Sequence, residues 1–111
     1  KKRRVLFLMI KGKESNKGGG KKMKVYKYPV RVNTVETIDL PLGAKPLSIA
    51  FQYDKVYIYA LVKPEEQKTA SVQVIVAGTG EPLPEDIDTF TYLNTIQMFD
   101  QQWNLHGFYK K

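Results

Sequence analysis

From residue 24 onward, apolar and polar positions alternate with the two-residue period of β-strands, and no helical period persists anywhere. Tyr26, Tyr28, Val30 and Val32 share one face of residues 24–32, with Lys24, Lys27 and Arg31 decorating the segment. Pro29 has no N–H to give a ladder, so the pattern predicts an edge strand or a break there. Residues 35–40 form a second short strand, closed by Pro41-Leu42-Gly43 as a tight turn. Residues 46–53 place Leu47, Ile49, Phe51 and Tyr53 on one face, and Asp54-Lys55 reads as a hairpin tip. Residues 56–62, VYIYALV, are apolar on both faces, which predicts a central strand covered on both sides. After a polar turn over 64–68, residues 69–77 return with Val72, Val74 and Val76 inward. Two prolines keep the loop from Gly78 to Pro84 out of a helix, and Glu85 to Asp88 can make one helical turn. Residues 89–98 alternate through Phe90, Tyr92, Ile96 and Met98, Asp100-Gln101 makes a turn, and Trp103, Leu105 and Tyr109 carry the last strand. Six to seven strands at such spacing predict an all-β fold, an antiparallel sandwich or small open barrel.

Charge changes where the domain begins. The net charge is +7, yet residues 1–22 hold nine Lys/Arg against Glu14 alone and carry +8, leaving 23–111 at −1. The basic character belongs to the extension and not to the β domain. Residues 5–10 are apolar for six positions only, too short for a signal-peptide core or a bilayer span. Lys17-Gly18-Gly19-Gly20-Lys21-Lys22 can be spelled by a purine-rich tract like a ribosome-binding site, directly before Met23. The expectation is that Met23 is the natural start. Residues 1–22 are then upstream translation or an added expression segment, disordered or partly ordered, and 23–111 is the single domain. A genuine basic arm or a membrane-surface segment are the alternatives.

The chemistry on offer is sparse. The chain has no cysteine and one histidine, which excludes disulfides, thiolate sites and a histidine metal cluster. No catalytic residue, metal ligand or cofactor site is expected. His106 reads as a structural or half-exposed side chain. Gly78, Thr79 and Gly80 resemble a phosphate cradle weakly, because no helix and no Lys-Ser/Thr follows; the plainer explanation is a glycine at positive φ with a stiffened exit. Glu81, Glu85, Asp86 and Asp88 are acidic without a calcium-loop rhythm, and read as a solvated loop or a docking patch. The candidate binding loop is therefore Gly78, Thr79, Gly80, Glu81, Glu85 and Asp86. Among 13 aromatic residues, Tyr57, Tyr59 and Trp103 are candidate contacts, although core or sheet-covering roles suit the two tyrosines better.

The order of several short motifs carries a resemblance. They are Tyr26-Lys27-Tyr28-Pro29, Leu40-Pro41-x-Gly43-Ala44 with Leu47-Ser48-Ile49, and Tyr59-Ala60-Leu61-Val62-x-Pro64. Gly78-Thr79-Gly80-x-Pro82-x-Pro84, Thr95-Ile96-Gln97 and Trp103-x-x-His106-x-Phe108 complete the set. Together they resemble a small all-β family, a domain of unknown function encoded by tailed phages and prophage-bearing bacteria. Its members usually begin with Met-Lys at the position of Met23-Lys24, and residues 1–22 have no counterpart in it. Asn104-Leu105-His106-Gly107 is longer or looser than the family's compact ending. The resemblance implies a phage or prophage origin and brings no activity.

The leading expectation is a non-enzymatic accessory protein that binds a host or phage protein in the host cytoplasm. A minor virion component, self-associating through an edge strand, is the second reading. A nucleotide or single-stranded nucleic-acid binder using the aromatic sheet face is the third. The near-neutral domain counts against it unless residues 1–22 are a real arm. No membrane association is expected.

Overall fold

The computed structural model describes residues 22–98 and 103–111. The 1–22 extension, apart from Lys22, and the turn at Asp100-Gln101 lie outside the described residues. Seven strands follow one another: β1 (Lys24–Val30), β2 (Val35–Pro41), β3 (Lys45–Gln52), β4 (Lys55–Val62), β5 (Thr69–Gly78), β6 (Thr91–Met98) and β7 (Trp103–Lys110). They form two antiparallel sheets, β1-β4-β3 and β2-β5-β7-β6, packed as a sandwich. The expected helical turn lies at Ile87–Thr89, after Pro84, and its Ile87 N–H is bonded to the Pro84 carbonyl.

The core lies between the sheets. Ile58, Ala60 and Val62 of β4 face Ile38 and Leu40 of β2, Val74 and Val76 of β5 and Leu105 of β7, all at 1% exposure or less. Burying each large aliphatic side chain contributes about 1.5–3 kcal/mol, so this alternation is what selects the register. β1 is an edge strand, as Pro29 requires, and its ladder runs unbroken from Lys24↔Val62 to Val30↔Val56.

Two details correct the sequence reading. The β3–β4 turn is Tyr53-Asp54, with φ of 51° and 63°, and Gln52 pairs with Lys55 across it. Positive φ at both central positions is the signature of a type I′ two-residue hairpin, so the tip sits one residue earlier than Asp54-Lys55. The face of β3 is also shorter than its alternation suggests. A bulge between Pro46 and Ser48 leaves Leu47 39% exposed, and Tyr53 is 82% exposed in the turn. The outer face of β4 is covered unevenly: Tyr57 is buried, whereas Tyr59 and Leu61 are half-buried.

Side-chain amides stitch the two sheets at both sides. Asn94 of β6, beside a bulge at Tyr92/Asn94, receives the Ile49 N–H at 2.8 Å and donates to the Ile49 carbonyl at 3.2 Å. One side-chain amide thus replaces a ladder pair between edge strands β3 and β6. On the opposite side, Asn33 adopts φ 62° between β1 and β2. Its N–H reaches the Val76 carbonyl, and its side-chain oxygen accepts the Gly78 N–H at 3.0 Å.

Candidate functional site

Because β5 and β6 both run antiparallel to β7 and flank it, they are parallel to each other. The chain from Thr79 to Phe90 must therefore travel back along the whole sheet before β6 begins. It does so as a strap across the outer face. Ile75 and Ala77 point outward from β5, yet they are only 2% and 1% exposed. Leu83 of the strap shares a groove of about 180 Å³ with Ala77, His106 and Phe108. At the far end Lys110 Nζ lies 3.0 Å from Asp86 Oδ2, and this bond holds the Asp86 carboxyl below the usual carboxylate range.

The proposed binding loop is thus the start and middle of a strap. Thr79 N–H extends the β5–β7 ladder to the Asn104 carbonyl, and Glu81 N–H closes a turn on Gly78 O. Gly80 takes φ +88°, the conformation for which glycine is suited. His106, the one histidine, is bracketed by hydroxyls, with Thr79 Oγ1 2.7 Å from Nε2 and Thr95 Oγ1 2.9 Å from Nδ1. Thr95 continues to the Tyr92 hydroxyl at 2.6 Å. Glu81 and Glu85 are exposed on the strap.

The three aromatic candidates lie apart. Tyr57 and Tyr59 are on the outer face of the three-stranded sheet. Lys27 Nζ stands 4.4 Å from the Tyr57 ring centre and 5.4 Å from that of Tyr53, and it donates to Gln52 Oε1 at 2.9 Å. The Tyr59 hydroxyl donates to the same oxygen at 3.1 Å. Trp103 is instead at one end of the sandwich, 42% exposed, with its indole nitrogen over Gly78.

At that end the two sheets part around a cavity of about 590 Å³. Val30, Phe51, Val56, Met98, Trp103 and Leu105 supply apolar walls, while Arg31, Asp54 and Lys55 supply charge. Arg31 is engaged with the buried Glu36, which takes its backbone N–H at 2.8 Å and its Nε at 3.3 Å. Trp103 is the one cavity residue that the sequence singled out. Phe51, Met98 and Leu105 occupy alternating apolar positions of their strands, and nothing local tells a core position from a cavity wall. Among the described residues no group of three or more His, Cys, Asp or Glu is placed to hold a metal ion. No helix among them is long and apolar enough to cross a membrane.

A family model for a domain of unknown function, DUF7352, matches residues 22–111, which takes in all seven strands. The chain belongs to the DUF7352 family. No curated protein and no solved structure matches it. For this DUF7352 chain, then, three surfaces are distinct: the end cavity, the strap with its acidic residues, and the lysine-tyrosine face of the three-stranded sheet.

Proposed function

We propose that this DUF7352 protein is a non-enzymatic protein-interaction module, whose partner seats an apolar side chain in the end cavity. The observation that carries the reading is the cavity itself. It has the volume and apolar lining of a binding pocket, with Phe51 and Trp103 at least one third exposed at its mouth. Exposed aromatic residues around a concave apolar site are the usual anchors of protein interfaces. The charged groups that line it, Arg31, Asp54 and Lys55, include no nucleophile paired with a base, which favours capture over turnover. Motif order favours a phage or prophage origin, and on this reading the protein is an accessory factor acting in the host cytoplasm.

The test is affinity capture by the full chain from prophage-induced cells, in parallel with Phe51→Ala and Trp103→Ala. Both side chains are exposed enough for folding to survive, which thermal melting checks. The expected result is one partner retained by the wild type, lost with either variant, and able to shift Trp103 emission on mixing. Equal retention by the variants would exclude the cavity. Recovery of the protein itself or of virion components alone would favour the structural reading.

A further inference from the structure

We infer that the outer face of the three-stranded sheet, whose lysines and tyrosines share only Lys55 with the end cavity, binds single-stranded nucleic acid. Along the chain the domain is close to neutral, but the fold distributes its charges unevenly. The outward positions of β1, β3 and β4 carry Lys27, Lys45 and Lys55 and no carboxylate. Asp54 sits in the hairpin turn next to Lys55, and both also border the end cavity, while Glu65 and Glu66 follow in the turn after β4. The acids Glu81, Glu85, Asp86 and Asp88 lie on the strap, over the other sheet. A charge of −1 for residues 23–111 therefore hides a cationic face, and a polyanion responds to the local field more than to the sum.

The aromatic residues of this face point to bases and not only to phosphates. Tyr53 is 82% exposed at the hairpin tip, Tyr59 is half-buried beside it, and Lys27 is held between them by Gln52 and the Tyr53 and Tyr57 rings. Tyr57 is 6% exposed and acts as the floor under Lys27, not as a stacking surface. Ser48 and Ala50 next to Tyr57 and Tyr59 on β3 are small and leave the sheet open on that side. Cations beside accessible aromatic rings are the combination that sequence-tolerant single-strand binders use.

The turn supplies a second, independent observation. A two-residue hairpin with both φ positive favours Asn-Gly, and a bulky residue there is strained. Tyr53 occupies the first position at φ 51°. Such strain is commonly kept where the side chain serves a function.

The experiment is fluorescence anisotropy of a labelled 12-nucleotide single strand with the full chain, across a salt series, with heparin as the comparison polyanion. Residues 1–22 carry +8 in every variant, so differences between variants read the face alone. Replacing Lys27, Lys45 and Lys55 by Gln should lower the slope of log affinity against log salt by about 2, because each single-strand phosphate contact contributes about 0.7. The same replacement at Lys68, Lys110 and Lys111, away from the face, should change the slope less. Tyr53→Ala and Tyr59→Ala, which leave charge unchanged, should weaken the oligonucleotide by about tenfold and leave heparin unaltered. Oligonucleotide binding that is equal in all variants would place it in residues 1–22 and overturn the inference. Lysine dependence without tyrosine dependence would make the face a generic acidic-partner site, and would equally overturn it. Loss of cavity-dependent partner capture without change here would leave this face standing.

Discussion

Gly107 offers the sharpest test of how the two sheets are fitted together. It lies in β7 facing inward, and a Cβ built there would stand 2.9 Å from both Cδ1 and Cγ2 of Ile49 and 3.1 Å from Cγ1. Real carbon–carbon contacts do not approach so closely, so Gly107→Ala obliges Ile49 to move. Ile49 is 1% exposed, its Cγ2 is one bond from the branch point, and its backbone is held at both N–H and C=O by Asn94. Two of the three contacts, Cγ1 and Cγ2, are not the flexible tip of the side chain, and overpacking of this kind costs about 1–3 kcal/mol. Against that, alanine removes some freedom from the unfolded chain, worth about 0.4–1 kcal/mol. The balance is a loss of about 1–2 kcal/mol, or roughly 4–8 °C in melting midpoint for each kcal/mol in a domain of this size. Because no left-handed φ is involved at Gly107, the whole effect is steric and depends on Ile49. A double-mutant cycle isolates it. Ile49→Ala alone should cost about 2–5 kcal/mol, and Gly107→Ala added to Ile49→Ala should cost nothing further or recover stability. Urea melts of the four proteins measure this. A Gly107→Ala protein as stable as the wild type would refute the argument, as would the same loss in both Ile49 backgrounds.

Other expectations follow from single features of the fold. Tyr28 is 3% exposed, its hydroxyl has no protein hydrogen-bond partner, and burial, with the neighbouring Tyr26, pushes its pKa from 10.0 up to about 12. The folded state therefore keeps a proton that the unfolded state loses. Tyr28's contribution should be level below pH 10, fall by about 2–3 kcal/mol between pH 10 and 12 and level off again, and Tyr28→Phe should remove that fall in alkaline melts. Asn94→Ala leaves the Ile49 N–H and C=O without their bridge and should cost about 1–3 kcal/mol by urea melting. A cost within error would mean water replaces the amide. Tyr53→Asn combined with Asp54→Gly should stabilise the hairpin by about 1 kcal/mol while weakening oligonucleotide binding. Improvement in both would remove the functional reason for Tyr53.

Several features were legible in the sequence because they depend on neighbours along the chain. The two-residue alternation places seven strands close to where they form, since each is a strip with one apolar side. Pro29 marks β1 as an edge because a missing N–H is a local fact, and Gly43 and Gly80 mark turns because both have φ near +85°. The strap's short helical turn follows from Pro84 and the acidic residues after it. What the alternation could not supply is which strands become neighbours. That choice depends on contacts between residues far apart in sequence, such as Ile49 with Asn94 and Gly107, where a bulge and an absent side chain let two edges meet. The same long-range pairing turns the Gly78–Asp88 loop into a strap, by setting β7 between β5 and β6. It brings Val30, Phe51, Met98 and Trp103 around one cavity, and gathers Lys27, Lys45 and Lys55 on one sheet face while four acids fall on the strap over the other. Local patterning decides which side of each strand avoids water. Only packing decides what stands across from it.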